Sequence, residues 1–240
     1  MKTALQMETP STTTEPGPRR AVFDSAPEIL TEIYQNDVNM AVWQRPSPGS
    51  AIPETQLLTE KGFGNYRSTL SVTDLHNLER KLPNHAVYAM LSADILLLAD
   101  MFSCLFELQG VGLRITALTQ AMCPKFHVDR VPCRLITTYM GTGTQWLPQH
   151  CVDRSRLGPG SGKPNDAESR LHPSAQATQT LAPGDVALLK GESWEGNEGA
   201  GLVHRSPTVE PNRHRLLLTL DFASPSGQSS RTRDQSRAER

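Results

Sequence analysis

Three potential metal ligands fall in the C-terminal half of the 240-residue chain: His127, Asp129 and His204. In an extended segment, the two-residue spacing of His127 and Asp129 directs both side chains to one face, which suits coordination of a single ion. A distant His204 can complete one triangular face of an octahedron and leave the opposite face open. Two imidazoles and one carboxylate in this arrangement are typical of non-haem Fe(II). The three residues therefore predict a metal site that is also the catalytic centre.

Arg215 follows His204 and opens the apolar segment RLLLTLDF. A guanidinium in an apolar interior needs a carboxylate or an equivalent partner to offset its desolvation. With these residues the chain, over roughly residues 110–222, resembles the Fe(II)/2-oxoglutarate dioxygenases. The resemblance implies Fe(II) and 2-oxoglutarate as cofactors, with Arg215 and Tyr139 binding the far carboxylate of the co-substrate. The chain departs from that pattern at Leu217, where those enzymes usually have a small hydroxyl side chain.

The segments CPKFHVDRVPCRLITTY, GTGTQWLP and DVALLKGESWEGNEGAGLVHRSP look like the DUF1826 family of bacterial proteins. That family has no established activity, and its association with zinc-responsive gene neighbourhoods implies zinc as a rival metal. Cys123 and Cys133 bracket His127 and Asp129, and thiolate with imidazole is a zinc-like ligand set. One alternative is therefore a zinc-binding protein of zinc homeostasis that uses both cysteines with the same histidines. If the thiols instead pack away from the ion, they are small buried hydrophobes.

Further side chains are candidates for the mouth of the pocket. Trp194 and Asn197 belong to the glycine-punctuated stretch before His204, and Arg130 and Trp146 follow Asp129 along the chain. We expect these four residues to contact the substrate. The expected reaction is the oxidation or hydroxylation of an unidentified small molecule or protein, coupled to decarboxylation of 2-oxoglutarate to succinate. A cupin-like barrel that binds a small acid without turnover is the remaining alternative.

The elements that must position these residues divide the chain in two. Apolar residues at helical intervals predict helices at 26–36, 71–82 and 92–109, so residues 23–109 are expected to be mainly helical. Residues 110–223 contain short β-rich segments without a strand–helix–strand rhythm: GLRITAL, CRLITTYM, DVALLK, GLVH and RLLLTLDF. The prediction is one α+β domain, 23–223. Its core is a double-stranded β-helix, a jelly-roll or cupin-like barrel, with the N-terminal helices packed on one face.

Composition sets the remaining expectations. Residues 1–22 and 224–240 are polar and are predicted to be disordered tails, and 153–180 is predicted to be a long surface loop. The chain has 24 Lys and Arg against 25 Asp and Glu, so the overall charge favours neither nucleic acid nor an anionic membrane as partner. The sequence shows no uninterrupted apolar run of bilayer length and no apolar leader, and we expect a cytoplasmic protein.

Overall fold

The computed structural model describes residues 17–53, 65–157, 171 and 175–224. Most of the described chain belongs to two β-sheets with one long helix beside them. The strands are β1 (Arg20–Asp24), β2 (Val38–Trp43), β3 (Tyr66–Ser71), β4 (Gly110–Leu118), β5 (Cys133–Met140), β6 (Gln145–Leu147), β7 (Gln179–Thr180), β8 (Val186–Lys190), β9 (Val203–Arg205) and β10 (Arg215–Phe222). The helices are α1 (Leu78–Lys81) and α2 (Ala86–Leu105), with 3-10 helices at Pro27–Tyr34, Pro48–Ala51, Val72–Asn77, Gln149–Cys151, Arg154–Arg156 and Ala175–Ala177.

The larger sheet has seven strands in the order β1-β2-β8-β5-β10-β4-β3, and the smaller has three in the order β7-β6-β9. Strands β1 and β2 run parallel, whereas the other neighbours pair antiparallel. Within the described residues the two sheets share no strand, so the hydrogen bonding does not close a barrel there. The result is a mixed α/β structure whose two sheets enclose an apolar interior.

The two faces of the larger sheet bury different apolar clusters because alternate residues of a strand point to opposite sides. On one face, Leu135 of β5 and Leu218 of β10 join Leu91, Ile95 and Phe102 of α2 in the main core. The opposite face, which includes Ile136 and Leu217, packs with Trp146 and Leu202 in a second cluster. Metal-ligand candidates therefore have to project from this second face if they are to lie between the sheets.

Helix α2 starts earlier than the sequence predicts. His85 caps it by accepting a hydrogen bond from the backbone nitrogen of Val87 at 3.1 Å, and the helix then runs for 20 residues. By length and composition alone it could cross a membrane, which the apolar runs of the sequence did not suggest. Core helices of soluble proteins meet the same criterion, and seven apolar residues of α2 are buried in the main core: Val87, Tyr88, Leu91, Ile95, Leu98, Ala99 and Phe102.

The prediction that residues 23–109 are mainly helical is wrong for part of that region. Strands β2 and β3 and the end of β1 lie there, and β1 and β3 are the two edge strands of the larger sheet. The apolar run of β2, VNMAVW, is buried on both faces and lacks the alternation that marks a half-buried strand. The predicted helix 26–36 is a 3-10 helix over Pro27–Tyr34, and 71–82 divides into a 3-10 segment and the single turn of α1.

The predicted tails and loop are only partly covered by the described residues. Strand β1 begins within the predicted tail 1–22, so the folded part of the chain starts earlier than 23. Residues 1–16 and 225–240 lie outside the described residues, as do 158–170 and 172–174 of the predicted loop 153–180. At the described position Leu171, the side chain is buried with Phe126, Leu147 and Val203, which ties this part of the loop to the smaller sheet.

Candidate metal centre

His127, Asp129 and His204 come together between the two sheets. One ligand atom from each lies within 4.8 Å of the other two, and this is the trio of potential ligands that the described residues bring together. The Nε2 atom of His127 lies 3.8 Å from Oδ1 of Asp129, and the Nε2 atom of His204 lies 3.5 Å from Oδ2. Two imidazole nitrogens and one carboxylate can therefore face a single ion, and the donor set fits Fe(II).

Backbone pairing aligns the two histidines. His127 and His204 form an isolated antiparallel bridge in which each backbone nitrogen donates to the other residue's carbonyl oxygen at 3.0 Å. The Nδ1 atom of His127 donates to the carbonyl of Lys125 at 2.9 Å, and that of His204 donates to the carbonyl of Leu202 at 3.2 Å. Such bonds fix the tautomer and leave Nε2 free to bind a metal.

His204 is the more buried of the two histidines, with 6% of its surface exposed. Burial lowers the pKa of His204 to about 4, because the cost of desolvating an imidazolium outweighs the favourable field of Asp129. The ring is therefore neutral at physiological pH. A neutral imidazole is the form that coordinates a metal ion.

Arg134 holds the carboxylate of Asp129 in place, a role that the sequence analysis missed. Its NH1 group donates to Oδ2 of Asp129 at 2.7 Å, while Nε and NH2 donate to the two carboxylate oxygens of Asp221 at 2.7 and 3.1 Å. This bidentate pair fixes the guanidinium, so that Oδ2 of Asp129, the oxygen nearer His204, accepts a hydrogen bond from Arg134, while Oδ1 is left toward His127. Arg134 is thus a positioning residue for the carboxylate ligand.

We expect Arg134→Gln to weaken metal binding by about 10- to 100-fold, the usual cost of removing a group that orients a metal ligand. The affinity should be measured by titrating Mn(II) into the metal-free protein. Arg80→Gln, on the exposed surface of α1, is the matched control. Unchanged Mn(II) affinity in a folded Arg134→Gln protein would mean that the pairing with Asp129 has no effect on the site.

Arg215 lies in the same cavity as the three candidate ligands. The cavity has a volume of about 130 Å³ and is lined by Arg114, Met122, Cys123, His127, Asp129, Arg134, Ile136, Thr144, His204, Arg205, Ser206, Arg215, Leu217 and Thr219. Arg215 itself is only 1% exposed. Burial lowers the pKa of its guanidinium to about 10, which still leaves it a cation at neutral pH.

Hydroxyl groups surround the Arg215 guanidinium. Its NH2 group donates to Oγ1 of Thr138 at 3.1 Å and to Oγ1 of Thr144 at 2.8 Å, NH1 donates to Oγ of Ser206 at 3.2 Å, and Nε donates to the carbonyl of Thr142 at 2.8 Å. These three hydroxyls lie near the guanidinium although Leu217 replaces the hydroxyl expected on β10. Within the described residues no carboxylate pairs with Arg215.

Tyr139 does not share this pocket, and the prediction that it joins Arg215 has to be corrected. Its side chain lies on the opposite face of β5, in the main core, and its hydroxyl donates to Oδ2 of Asp94 at 2.8 Å. The pairing of β5 with β10 shifts register beside Tyr139, since Leu216 faces Met140 while Leu217 faces Thr138. Thr138, the preceding residue, supplies the hydroxyl on the cavity side.

Cys123 and Cys133 lie in different parts of the structure. Cys123 is exposed and lines the cavity, but its sulfur is not part of the three-ligand group. Cys133 is fully buried in the main core on the far side of β5, where burial raises the pKa of its thiol. A zinc site made by both thiols with the histidines is therefore inconsistent with the structure.

The four residues predicted to form the pocket mouth do not line the cavity. Arg130 is exposed, and its carbonyl accepts a hydrogen bond from Ser193. Trp146 fills the cluster between the sheets, whereas Trp194 packs under Lys190, whose Nζ lies 4.6 Å from the ring centre. Asn197 is buried and accepts a hydrogen bond from Arg19 at 3.0 Å. All four have structural contacts instead.

Comparisons with known proteins give one family and several remote structural likenesses. A family model described as "Protein of unknown function (DUF1826)" matches residues 24–221, which confirms the resemblance noted in the sequence. No curated protein matches the chain.

Among solved structures, a putative oxygenase from Shewanella oneidensis superposes with a TM-score of 0.45 and 11% identity, over 85% of this chain and 89% of that one. A Pseudomonas putida prolyl-4-hydroxylase gives a TM-score of 0.36 and 10% identity, over 81% of this chain and 96% of that one. A rice dioxygenase for auxin oxidation gives 0.36 and 12%, over 75% of this chain and 66% of that one. These likenesses are too remote to assign a role to any residue.

Proposed function

We propose that this chain, which belongs to the DUF1826 family, is an Fe(II)- and 2-oxoglutarate-dependent oxygenase of an unidentified substrate. In this proposal His127, Asp129 and His204 hold the metal, and Arg215 binds the far carboxylate of 2-oxoglutarate. We also propose that the two sheets together form a double-stranded β-helix. A cytoplasmic location remains a prediction.

One observation carries the proposal: the buried Arg215 cation lies in the same cavity as the three candidate ligands, with no carboxylate partner among the described residues. Burying a guanidinium costs several kcal/mol unless an anion offsets the loss of hydration, and hydroxyl groups offset it only in part. A bound dicarboxylate provides the missing anion, because a planar guanidinium recognises a carboxylate through two parallel hydrogen bonds. The hydroxyls of Thr144 and Ser206 line the same cavity and would join this recognition, while that of Thr138 holds the guanidinium from outside the cavity lining.

Bound iron and 2-oxoglutarate would supply the oxidising chemistry, in which O2 is consumed, 2-oxoglutarate loses CO2 to become succinate, and a substrate C–H bond is oxidised. The chain's own residues hold and orient these groups. The imidazoles of His127 and His204 and the Asp129 carboxylate would bind the cation, and Arg134 keeps the carboxylate from rotating. Ile136 and Leu217 line the cavity with apolar surface and limit its water content.

Succinate formation tests the proposal. The full-length protein, reconstituted anaerobically with Fe(II), is mixed with 2-oxoglutarate and O2, and succinate is quantified without added substrate, since such enzymes turn over slowly when uncoupled. We expect succinate in proportion to bound iron and none with Zn(II). A protein that binds both Fe(II) and 2-oxoglutarate but consumes no O2 would instead be a non-catalytic binding barrel of the cupin type.

The alternative of a thiolate zinc site gives the opposite expectation for two cysteine variants. We expect Cys123→Ser and Cys133→Ser to keep the metal content of the wild type, because neither sulfur belongs to the ligand group. Metal content after expression in zinc-poor, iron-supplemented medium measures this, with Cys104→Ser of α2 as the matched control. Loss of metal in Cys123→Ser alone would indicate that this exposed thiol moves to the ion when the ion binds.

A further inference from the structure

A pair of arginines extends from the cavity toward the open edge of the larger sheet. Arg114 of β4 lines the cavity beside Thr219 of β10, its direct cross-strand neighbour. On its other side Arg114 is directly opposite Arg67 of β3, the edge strand. Residues directly opposite each other project from the same face. Arg67 and Arg114, named here the arginine shelf, therefore lie on the face that carries the candidate metal centre.

The shelf is open to solvent. Along β3 the residues on this face, Arg67 and Thr69, are exposed, while Leu70, on the opposite face, is buried in the main core. Arg114 is half-buried at the cavity wall. The two side chains thus form a surface that leads from solvent to the cavity.

Neither arginine of the shelf has an anionic partner in the described part of the chain. Asp221, diagonal to Arg114 on this face, already forms a bidentate pair with Arg134. Like charges directly opposite each other on neighbouring strands destabilise a sheet. Two guanidinium groups held in such positions beside a cavity are therefore available to bind an oxyanion.

The charges of the proposed complex lead to the same conclusion. A divalent cation and Arg215 contribute three positive charges, and these are balanced by Asp129 and the two carboxylates of 2-oxoglutarate. Arg134 is balanced by Asp221. The charge of Arg114 at the cavity wall remains unbalanced, and Arg67 adds a second. These two charges are available to a further anion, because both carboxylates of the co-substrate are already accounted for.

We propose that the arginine shelf binds a carboxylate or phosphate group of the substrate, so that this protein acts on anionic compounds. The substrate role rests on the proposed oxygenase function, whereas the anion site itself can be tested without turnover. From strand spacing and rise, the Cα of Arg114 lies about 14 Å from that of Arg215. The shelf is therefore a site distinct from the one proposed for 2-oxoglutarate.

The test uses three probes that share a phenyl ring: phenylacetate, phenyl phosphate and the neutral phenylacetamide. Each is titrated into the full-length, metal-free protein at low ionic strength, without 2-oxoglutarate, and binding is followed by calorimetry. We expect both anions to bind and the amide not to bind. The tighter of the two anions identifies the group as a carboxylate or a phosphate, and added salt should weaken both.

Arg67→Gln and Arg114→Gln should each weaken anion binding by about tenfold or more, as loss of charge-assisted hydrogen bonds does. Arg80→Gln on α1 should leave it unchanged, whereas loss of binding in Arg215→Met would assign the anion to the site proposed for 2-oxoglutarate. Because the substitutions relieve repulsion between opposed like charges, the melting temperature of Arg67→Gln should not fall.

Three results would contradict the proposal that the arginine shelf binds an anion. These are no anion binding, binding that survives both Arg67→Gln and Arg114→Gln, and binding that is lost only in Arg215→Met. These results do not depend on iron or O2. Anion binding at the shelf without any succinate formation would contradict the oxygenase proposal and leave the anion site in place. Succinate formation without anion binding would support the oxygenase proposal and contradict the anion site at the shelf.

Discussion

Asp129→Asn is expected to lower the affinity for Fe(II) or Mn(II) by about 100-fold or more and to remove 2-oxoglutarate-dependent succinate formation. The substitution keeps the size of the side chain but removes the single negative charge among the three ligands. Loss of groups that merely orient a ligand already costs about 10- to 100-fold in metal affinity, so loss of a ligand should cost more. Bound iron after desalting and succinate yield per protein are the two measurements.

The fold should survive this change, because Arg134 keeps its bidentate pair with Asp221 when Asp129 becomes neutral. Circular dichroism and the melting temperature check this. Asp100→Asn, at an exposed position on α2, is the matched control for removing one carboxylate. If Asp129→Asn retains iron at the wild-type level, the metal does not bind at the proposed site and the proposed function is contradicted.

Arg215→Met is expected to weaken 2-oxoglutarate binding by about 2–5 kcal/mol, the range seen when one partner of a buried, hydrogen-bonded charge pair is truncated. That range corresponds to roughly thirtyfold or more in the Kd. The KM for 2-oxoglutarate in the succinate assay and a direct calorimetric titration both measure it. Arg215→Lys keeps the charge but loses the planar fork, and its effect should fall between those of the wild type and the methionine variant.

The melting temperature of Arg215→Met distinguishes a ligand-binding role of Arg215 from a purely structural one. Arg215 is buried without a carboxylate partner among the described residues, so methionine at this position removes the cost of keeping an uncompensated charge away from water. We therefore expect Arg215→Met to keep its melting temperature in the absence of 2-oxoglutarate, although it loses the stabilisation that 2-oxoglutarate gives the wild type. A large drop in the ligand-free melting temperature would mean that the hydroxyls around Arg215 are there to satisfy a structural residue.

The three metal-ligand candidates could be predicted from the sequence because their information is local. The H-x-D spacing puts two ligands on one side of an extended segment, and His204 stands in a β-rich segment of its own. The five β-rich segments predicted after residue 110 coincide with β4, β5, β8, β9 and β10. Arg215 was identified by its position at the start of β10.

The surroundings of Arg215 could not be predicted because they depend on register. Thr138 and Tyr139 are adjacent on β5 and their side chains point to opposite faces of the sheet. An error of one residue in the predicted register therefore assigns a side chain to the cavity that in fact lies in the main core. The same holds for Cys133, because the segment between Asp129 and β5 bends and does not continue the alternation from His127. Arg134 was missed because its partner Asp221 lies on another strand, and no spacing in the sequence relates the two.

The reciprocal backbone bonds between His127 and His204 have a consequence for how the metal is exchanged. The segments that carry the histidines are joined through backbone groups that take no part in coordination, so metal binding does not have to supply the whole entropy of ordering them. Loading and removal of the ion are then decoupled from folding. We expect a chelator to leave behind a folded protein that can bind a different divalent cation. The bound metal then depends on which cations surround the folded protein and not on which cation was present while it folded.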